Sequence, residues 1–273
     1  MRLKMMGETH LQVQAGGDAA AGAAPFHVLG VRVDAVQIPE VILQMEQWIQ
    51  SRRPGHFIAV TGMHGVTEAQ RDVSFQSILR AASLVVPDGM PLVWLGRAQG
   101  RPLRRRVYGP ELMASFCEQT SSRRYRHFFY GGAPGVADAL AEKFASRNGI
   151  LVAGTYTPPF RPLTASEDAE AVRRINASAA DVVWVGLSTP KQERWMFEHR
   201  SKLEVPVLVG VGAAFDFHTG RVAQAPAWMR ENGLEWFFRL MQDPRRLWRR
   251  YIFGGAQFTG LVLLELLRLK KFS

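Results

Sequence analysis

The sequence predicts an α/β fold: a Rossmann-like, mostly parallel sheet sandwiched by helices, followed by a helical C-terminal appendage. Three observations predict it. Short apolar, β-branched runs alternate with segments of helical period. Those runs are apolar throughout, not at every second residue, which marks strands covered on both faces of a parallel sheet. Beyond about residue 220 no strand-like run remains, and aromatic and arginine-rich helical segments take over.

Taken in order, the first 25 residues, MRLKMMGETHLQVQAGGDAAAGAAP, start basic but hold no sustained apolar core. They read as a disordered leader and not as a signal peptide. Candidate strands follow at 56–61 (HFIAVT), 83–87 (SLVVP), 127–132 (HFFYGG), 150–154 (ILVAG), 181–187 (DVVWVGL) and 206–212 (PVLVGVG). Helical segments lie near 39–51, 64–81, 110–122, 134–147, 165–178 and 190–201. An α/β domain over 26–220 therefore precedes a basic appendage over 221–273, read as short helices broken at Gly233, Pro244 and Gly254-Gly255. There is no internal repeat.

With 273 residues, 47% of them hydrophobic, the chain can bury the core of one large domain or of one domain with an appendage. A single cysteine, Cys117, excludes an internal disulfide framework and fits a reducing compartment. The uncharged run 252–264 is shorter than the roughly 20 apolar residues a bilayer span requires, so the chain reads as soluble. The formal net charge is +10. Between 239 and 271 eight basic residues face only Asp243 and Glu265, and RAQGRPLRRR (97–106) forms a second cluster. Such patches suit nucleic acid, anionic lipid or a phosphorylated substrate, and equally a solvated surface. Arg245/Arg249 and Arg246/Arg250 are i,i+4 pairs, so a regular helix puts four guanidiniums on one face beside Trp248 and Tyr251.

The stretch VWVGLSTPKQERWM (183–196) runs from a buried strand straight into a polar helix. Two readings stand. Thr189 caps the helix with Pro190 at its first position and Gln192 reaching back, or this helix N-terminus, at the carboxyl end of a strand, receives a phosphate. Asp88 in VVPDGMP likewise follows a strand; Pro-Asp-Gly is turn chemistry, yet open α/β sheets place ligands at this rim. TGMHG brings Thr61 and His64 to the rim. YGGAPG brings Gly131 and Gly132, whose amides hold a phosphate or serve only the turn. In GVGAAFDFHTG (210–220) Phe215 stands where a dinucleotide fingerprint needs its third glycine, which argues against an NAD site. With no Asp-X-Asp, no close His/Cys cluster and no Gly-X-Ser-X-Gly, neither a metal centre nor a serine-hydrolase elbow is indicated. The residues alone lead to a phosphate-binding α/β enzyme with one candidate base.

The ordered segments PDGMPLVW, RVYGPELM, FFYGGAPGVADAL, VGLSTPKQERWM and GVGAAFDFHTGRVAQAPAWMRENGLEWFFRLMQDPRRLWRRY go further. From about residue 27 to 253 the chain closely resembles the WecG/TagA/CpsF family of bacterial glycosyltransferases (glycosyltransferase family 26). The resemblance implies an inverting, metal-independent transfer of a hexose or N-acetylhexosamine, such as N-acetylmannosamine, from a UDP-sugar to a polyprenyl-diphosphate-linked saccharide. No cofactor is implied. The setting is the cytoplasmic face of the membrane, with peripheral attachment, in surface polysaccharide assembly. Carried over by motif, Asp88 is the general base, Arg106 an active-site arginine and Gln192 a donor-site glutamine. Thr61, His64, Gly131, Gly132 and Asp216 fall around the donor. Arg239, Arg245, Arg246, Arg249 and Arg250 fall in the appendage, which the family associates with membrane docking and with closing over the acceptor diphosphate.

One departure stands out: many members carry Thr-X-Asn where this chain reads Thr61-Gly62-Met63-His64, which leaves the donor sugar open. An ordinary aspartate, with a pKa near ~3.9, is ionised at neutral pH and ready to accept a proton. Arg106, the Gly131-Gly132 amides and a tail arginine are the expected stabilisers of the leaving diphosphate. The competing class is a basic, non-enzymatic nucleic-acid-binding protein, but no nucleic-acid module is visible and aromatics do not interleave with the 97–106 cluster. Nucleic acid is therefore not an expected partner, and self-association is left open.

Overall fold

The computed structural model describes residues 23–272. Most of the expected leader, 1–22, lies outside the described residues. Its last three residues do not belong to a leader at all: they open the first strand. Strands β1 (Ala23–Val28) and β2 (Val31–Ala35) form an antiparallel hairpin. Its turn holds Leu29 and Gly30 at φ 50° and 74°, the left-handed pair that matches the twist of the flanking strands. Leu-Gly lacks the Asn-Gly or Asp-Gly signature, and the hairpin was not expected. The Asp34 carboxylate accepts from the Val85 amide at 2.8 Å, so the hairpin covers the outer edge of the main sheet.

The chain then runs α1 (Ile38–Ser51), β3 (His56–Thr61), α2 (Met63–Arg71), α3 (Val73–Arg80), β4 (Leu84–Pro87), α4 (Met90–Ala98), α5 (Gly109–Gln119), β5 (Arg126–Gly131), α6 (Val136–Asn148), β6 (Leu151–Tyr156), α7 (Ala165–Ala177), β7 (Val182–Gly186), α8 (Lys191–His199), β8 (Val207–Gly210) and α9 (Ala214–His218). The single helix expected over 64–81 is two. Asp72 leaves helical geometry and caps the second, its Oδ1 accepting from the Phe75 amide at 3.1 Å. Helix α4 was not expected; it starts immediately after the Asp88-Gly89 turn, with Pro91 in its first turn.

Strands β3–β8 form a fully parallel sheet in the order β4-β3-β8-β7-β5-β6. Alternate residues of β3, β4, β5, β7 and β8 feed two separate cores, while the edge strand β6 is only partly buried. Phe57, Ala59, Val85, Val183, Val185 and Leu208 face one layer with α2, α3, α4, α7 and α8. Ile58, Val60, Val86, Trp184, Val207 and Val209 face the other with α1, α5 and α6. Burial on both faces is why the strands read as unbroken apolar runs. All six carboxyl ends lie along one rim, where an open parallel sheet holds its ligands.

The appendage comprises α10 (Ala227–Glu231), α11 (Glu235–Gln242), α12 (Pro244–Trp248), a π-helical turn (Arg249–Phe253) and α13 (Gly254–Leu266). The breaks at Gly233 and Pro244 occur as expected, but Gly254-Gly255 is no break. The chain continues from α12 through the π-helical turn into α13. A helical glycine costs only about 1 kcal/mol relative to alanine. Here Phe258 and Val262 bury in the same core layer as α2 and the hairpin. Glu265 anchors the far end, accepting from the Leu29 amide at 3.2 Å. Leu263, Leu264, Leu266, Leu267 and Leu269 remain exposed. Among the described residues no helix is long and apolar enough to cross a membrane.

Candidate active site

A cavity of about 210 Å3 opens over the carboxyl ends of β4, β3 and β8 and is roofed by the appendage. Its floor is set by close backbone approach. The Asp88 amide donates to the Thr61 carbonyl at 2.9 Å, carrying the β3–β4 pairing one step past the strands. A Cβ on Gly62 would come within 2.7 Å of the Asp88 carbonyl oxygen, so only glycine lets the two strand ends meet here. Asp88, His64, Arg106, Gln192 and Arg239 all line this cavity. Thr61, fully buried, lies beneath the lining.

Arg106 organises one wall. Its guanidinium lies 4.1 Å from the centre of the Tyr108 ring and forms an ion pair with Glu235, from the first turn of α11. Glu235 is buried and also accepts from the Tyr108 hydroxyl at 2.8 Å, while Gln224 donates to that hydroxyl at 3.2 Å. Burial opposes the charge on Arg106, but the carboxylates of Asp88 and Glu235 outweigh it and hold the guanidinium above its ordinary pKa. Burial, then the neighbouring Glu235 carboxylate, pushes the Tyr108 phenol far above its usual range, which keeps it a hydrogen-bond donor and not a base. Arg239, on the roof, sits 5.4 Å from the Phe217 ring centre.

Tyr108, Gln224 and Glu235 were not singled out as site residues. Glu235 did carry a signal: a lone carboxylate inside the apolar run NGLEWFF needs a cationic partner once buried.

The segment Thr189–Gln192 differs from the capping reading. Helix α8 starts at Lys191 with Pro190 as its cap residue and no side-chain cap. Thr189 Oγ1 donates instead to Glu193 Oε1 at 2.8 Å. Gln192, buried, accepts at Oε1 from the Gly212 amide at 2.9 Å and donates from Nε2 to Glu193 at 3.1 Å. Its side chain thus ties α8 to the loop after β8, where a Cβ on Gly210 would stand 2.9 Å from Nε2. The Gly212 amide beyond β8, which also reaches the Val185 carbonyl at 3.4 Å, takes this glutamine in place of the helix's own N-terminus.

Other expected site residues lie elsewhere. Gly131 ends β5 and Gly132 follows it; that strand stands three positions from β3, about 14 Å away at ordinary strand spacing. They are not in the cavity lining, and the Gly132 amide donates to the Gly186 carbonyl at 3.0 Å. Asp216 on α9 pairs with Arg221 at 3.5 Å, outside the lining. Arg246 pairs with Asp243 at 2.7 Å. Arg245 is exposed, and Arg249 lines a neighbouring groove with His64, Arg71 and Phe253. The expected single face of four arginines rests on regular helical spacing, which the π-helical turn interrupts; the Arg250 side chain is outside the described residues. Among the described residues no three His, Cys, Asp or Glu side chains are placed to hold a metal ion.

One strand-end carboxylate facing a guanidinium across a rim cavity can take a proton from a hydroxyl while positive charge meets a phosphate. A model of the glycosyl transferase WecG/TagA/CpsF family matches residues 26–272. The chain belongs to this family. Among its relatives is an N-acetylglucosaminyldiphosphoundecaprenol N-acetyl-beta-D-mannosaminyltransferase of Bacillus spizizenii, 30% identical over 84% of this chain and 87% of that protein. Proteins of the same description from Bacillus subtilis (26% identical; 76% of this chain, 79% of that protein) and Staphylococcus aureus strain MW2 (25% identical; 84% and 89%) are also similar. Membership of the WecG/TagA/CpsF family makes the chain a glycosyltransferase and sets aside the non-enzymatic reading.

Proposed function

We propose that the protein transfers a hexose or N-acetylhexosamine from a UDP-sugar to a polyprenyl-diphosphate-linked saccharide, with inversion and without a metal, in surface polysaccharide assembly. The observation that carries this reading is the placement of Asp88 and Arg106 on one cavity at the sheet's carboxyl rim. The relatives' names, which specify a mannosaminyl transfer and a diphosphoundecaprenol-linked sugar, support the substrate class and make N-acetylmannosamine the first sugar to try.

In the proposed step Asp88 takes the proton of an acceptor hydroxyl as that oxygen bonds to the anomeric carbon. The bond from the anomeric carbon to the donor diphosphate breaks, and its electron pair leaves with the nucleotide diphosphate. A single displacement inverts the anomeric centre. Arg106, held charged by its carboxylate neighbours, and Arg239 face the developing negative charge. Gln192 positions the loop at Gly212 against the donor.

The test uses the purified full chain, a panel of UDP-sugars and a short-chain lipid-diphosphate saccharide, with product mass and anomeric configuration as readouts. Transfer with inversion is expected, and it should persist in EDTA. Asp88→Asn should lower kcat by roughly 10²–10⁴ in a protein that still folds. A folded variant with near wild-type kcat would remove Asp88 from the role of base, and activity lost in chelator but restored by Mg²⁺ would overturn the metal-free step.

A further inference from the structure

On the other side of the Arg106–Tyr108 wall lies a second concavity of about 620 Å3, between α4, the 101–106 loop and α10. Five guanidiniums line it, from Arg97, Arg104, Arg105, Arg106 and Arg230, against the carboxylates of Glu111 and Glu231. The fold builds this cluster deliberately. Arg97 donates from Nε to the Leu103 carbonyl at 2.7 Å and from Nη2 to the Arg104 carbonyl at 2.5 Å, folding the loop so that Arg104 and Arg105 stand at the basin. Gly233 turns the chain over α4, where a Cβ would meet Met90 at 3.1 Å and Trp94 at 3.2 Å, and this contact sets α10 against the basin.

The charges are incompletely matched. Arg105 pairs with Glu231 at 3.0 Å and Arg106 with Glu235. Arg104 makes no ion pair among the described residues. Arg230 holds its guanidinium 5.9 Å from the Tyr108 ring, with a buried Nε that has no hydrogen-bond partner among the described residues. A concave, like-charged surface concentrates positive potential, and guanidinium forks match phosphate oxygens. Trp94, half exposed, adds an apolar wall.

We propose that this basin is a phosphate-binding site distinct from the catalytic cavity, taking the phosphate of a lipid through Arg104 and Arg230. Two lipids present that chemistry: the diphosphate-linked acceptor, an assignment that rests on the glycosyl-transfer reading, and an anionic membrane lipid. Arg106 is the shared wall, so a lipid phosphate held here lies next to the transfer site.

The experiment compares the full chain with Arg104→Gln and with the double variant Arg104→Gln/Arg230→Gln. Titration with inorganic pyrophosphate should show a dissociation constant raised about tenfold or more in the double variant, the worth of a lost charge-assisted contact. Any residual binding at the Arg106 face is common to all three proteins. Two further arms separate the sources. A raised KM for a short-chain lipid-diphosphate saccharide in detergent, with donor affinity and phosphatidylglycerol-vesicle binding unchanged, assigns the basin to the acceptor. Weaker vesicle binding with an unchanged acceptor KM assigns it to a headgroup. Unchanged pyrophosphate affinity, vesicle binding and acceptor KM in the double variant, at wild-type melting temperature, would overturn the proposal. Should the double variant not fold, the exposed single Arg104→Gln is read by the same outcomes. Pyrophosphate and vesicle binding need no turnover, so failure of the transfer reading would show separately, as a wild-type chain inactive toward every donor.

Discussion

A guanidinium as buried as that of Arg106 persists only because carboxylates stand beside it, and the choice of carboxylate governs what Asp88 can do. Glu235 takes the ion pair and the Tyr108 hydroxyl, leaving Asp88 at the cavity face. Glu235→Gln keeps the shape and a hydrogen-bonding oxygen for Tyr108 but removes one negative charge. Arg106 then draws on Asp88 alone, and a more tightly paired Asp88 is a weaker base. We expect kcat to fall roughly tenfold or more, about the 1.4 kcal/mol of one charge-assisted contact. Glu235→Ala should also cost about 1–3 kcal/mol of stability, because it leaves the buried Tyr108 hydroxyl without its acceptor and Arg106 with Asp88 alone. Steady-state kinetics and denaturant unfolding on both variants check this, and unchanged kcat in Glu235→Gln would remove the coupling. Asp88, Arg106 and Gln192 were legible as candidates because each lies in a recognisable motif, two of them at strand ends. Glu235 was not, since its contact with Arg106 spans 129 residues of sequence and depends on where the appendage lies. Gln192 was legible as a residue but not as a contact. Its partner at Gly212 belongs to another strand's loop.

The elements show the same divide between local and long-range information. All six strands of the main sheet could be read from runs of apolar residues, and in all but the partly exposed edge strand β6 two-sided burial is what leaves that trace in the sequence. Their order could not. Gly131-Gly132 stands on the same rim, but β7 and β8 lie between β5 and β3 and put it outside the lining of the cavity over β4, β3 and β8. The β1–β2 hairpin went unread for want of turn residues, and the π-helical turn because nothing local announces it. Neighbouring strands also create a pH response that a single strand does not reveal. His127 on β5 accepts at Nδ1 from the indole N–H of Trp184 on β7 at 3.1 Å. Burial lowers its pKa from 6.5 to about 3. The unfolded chain therefore binds this proton first. The stability that neutral His127 contributes is complete above pH ~6.5 and declines as pH falls toward ~3, by up to about 1.4 kcal/mol per unit. His127→Gln retains an acceptor for Trp184 and cannot titrate, so the slope of unfolding free energy between pH 6 and 4 should flatten by about that amount. Equal slopes in the two proteins would mean that His127 is not the group that titrates.

At the scale of the whole molecule the appendage is neither a free tail nor a fully covered helix, and this decides how membrane attachment should be tested. Phe258 and Val262 belong to the core and Glu265 ties α13 to the hairpin, so deleting the appendage would open the protein. What remains available is the outer surface. Leu263, Leu266, Leu267 and Leu269 are each more than half exposed, as are Phe253 and Met241, and the basic residues Arg245, Arg249, Lys270 and Lys271 lie in the same appendage. Apolar side chains with basic neighbours suit insertion at an anionic interface without crossing it. We expect Leu263→Gln/Leu266→Gln/Leu267→Gln to weaken binding to phosphatidylglycerol vesicles at least about a hundredfold, since burying a leucine contributes roughly 1.5–3 kcal/mol. Donor affinity should be unchanged, because none of the three lines the cavity. Charge reversal at Arg245 and Arg249 should act differently. Each basic residue near an anionic surface contributes about 1 kcal/mol through an interaction screened over ~8 Å at physiological salt, so its loss should be largest at low ionic strength. Vesicle flotation across a salt series separates the two contributions: a deficit independent of salt for the leucines, and one that vanishes with salt for the arginines. If the triple variant floats with anionic vesicles as well as the wild-type chain, the exposed leucines do not hold the membrane, and attachment must come from the arginine-lined basin or from elsewhere on the surface.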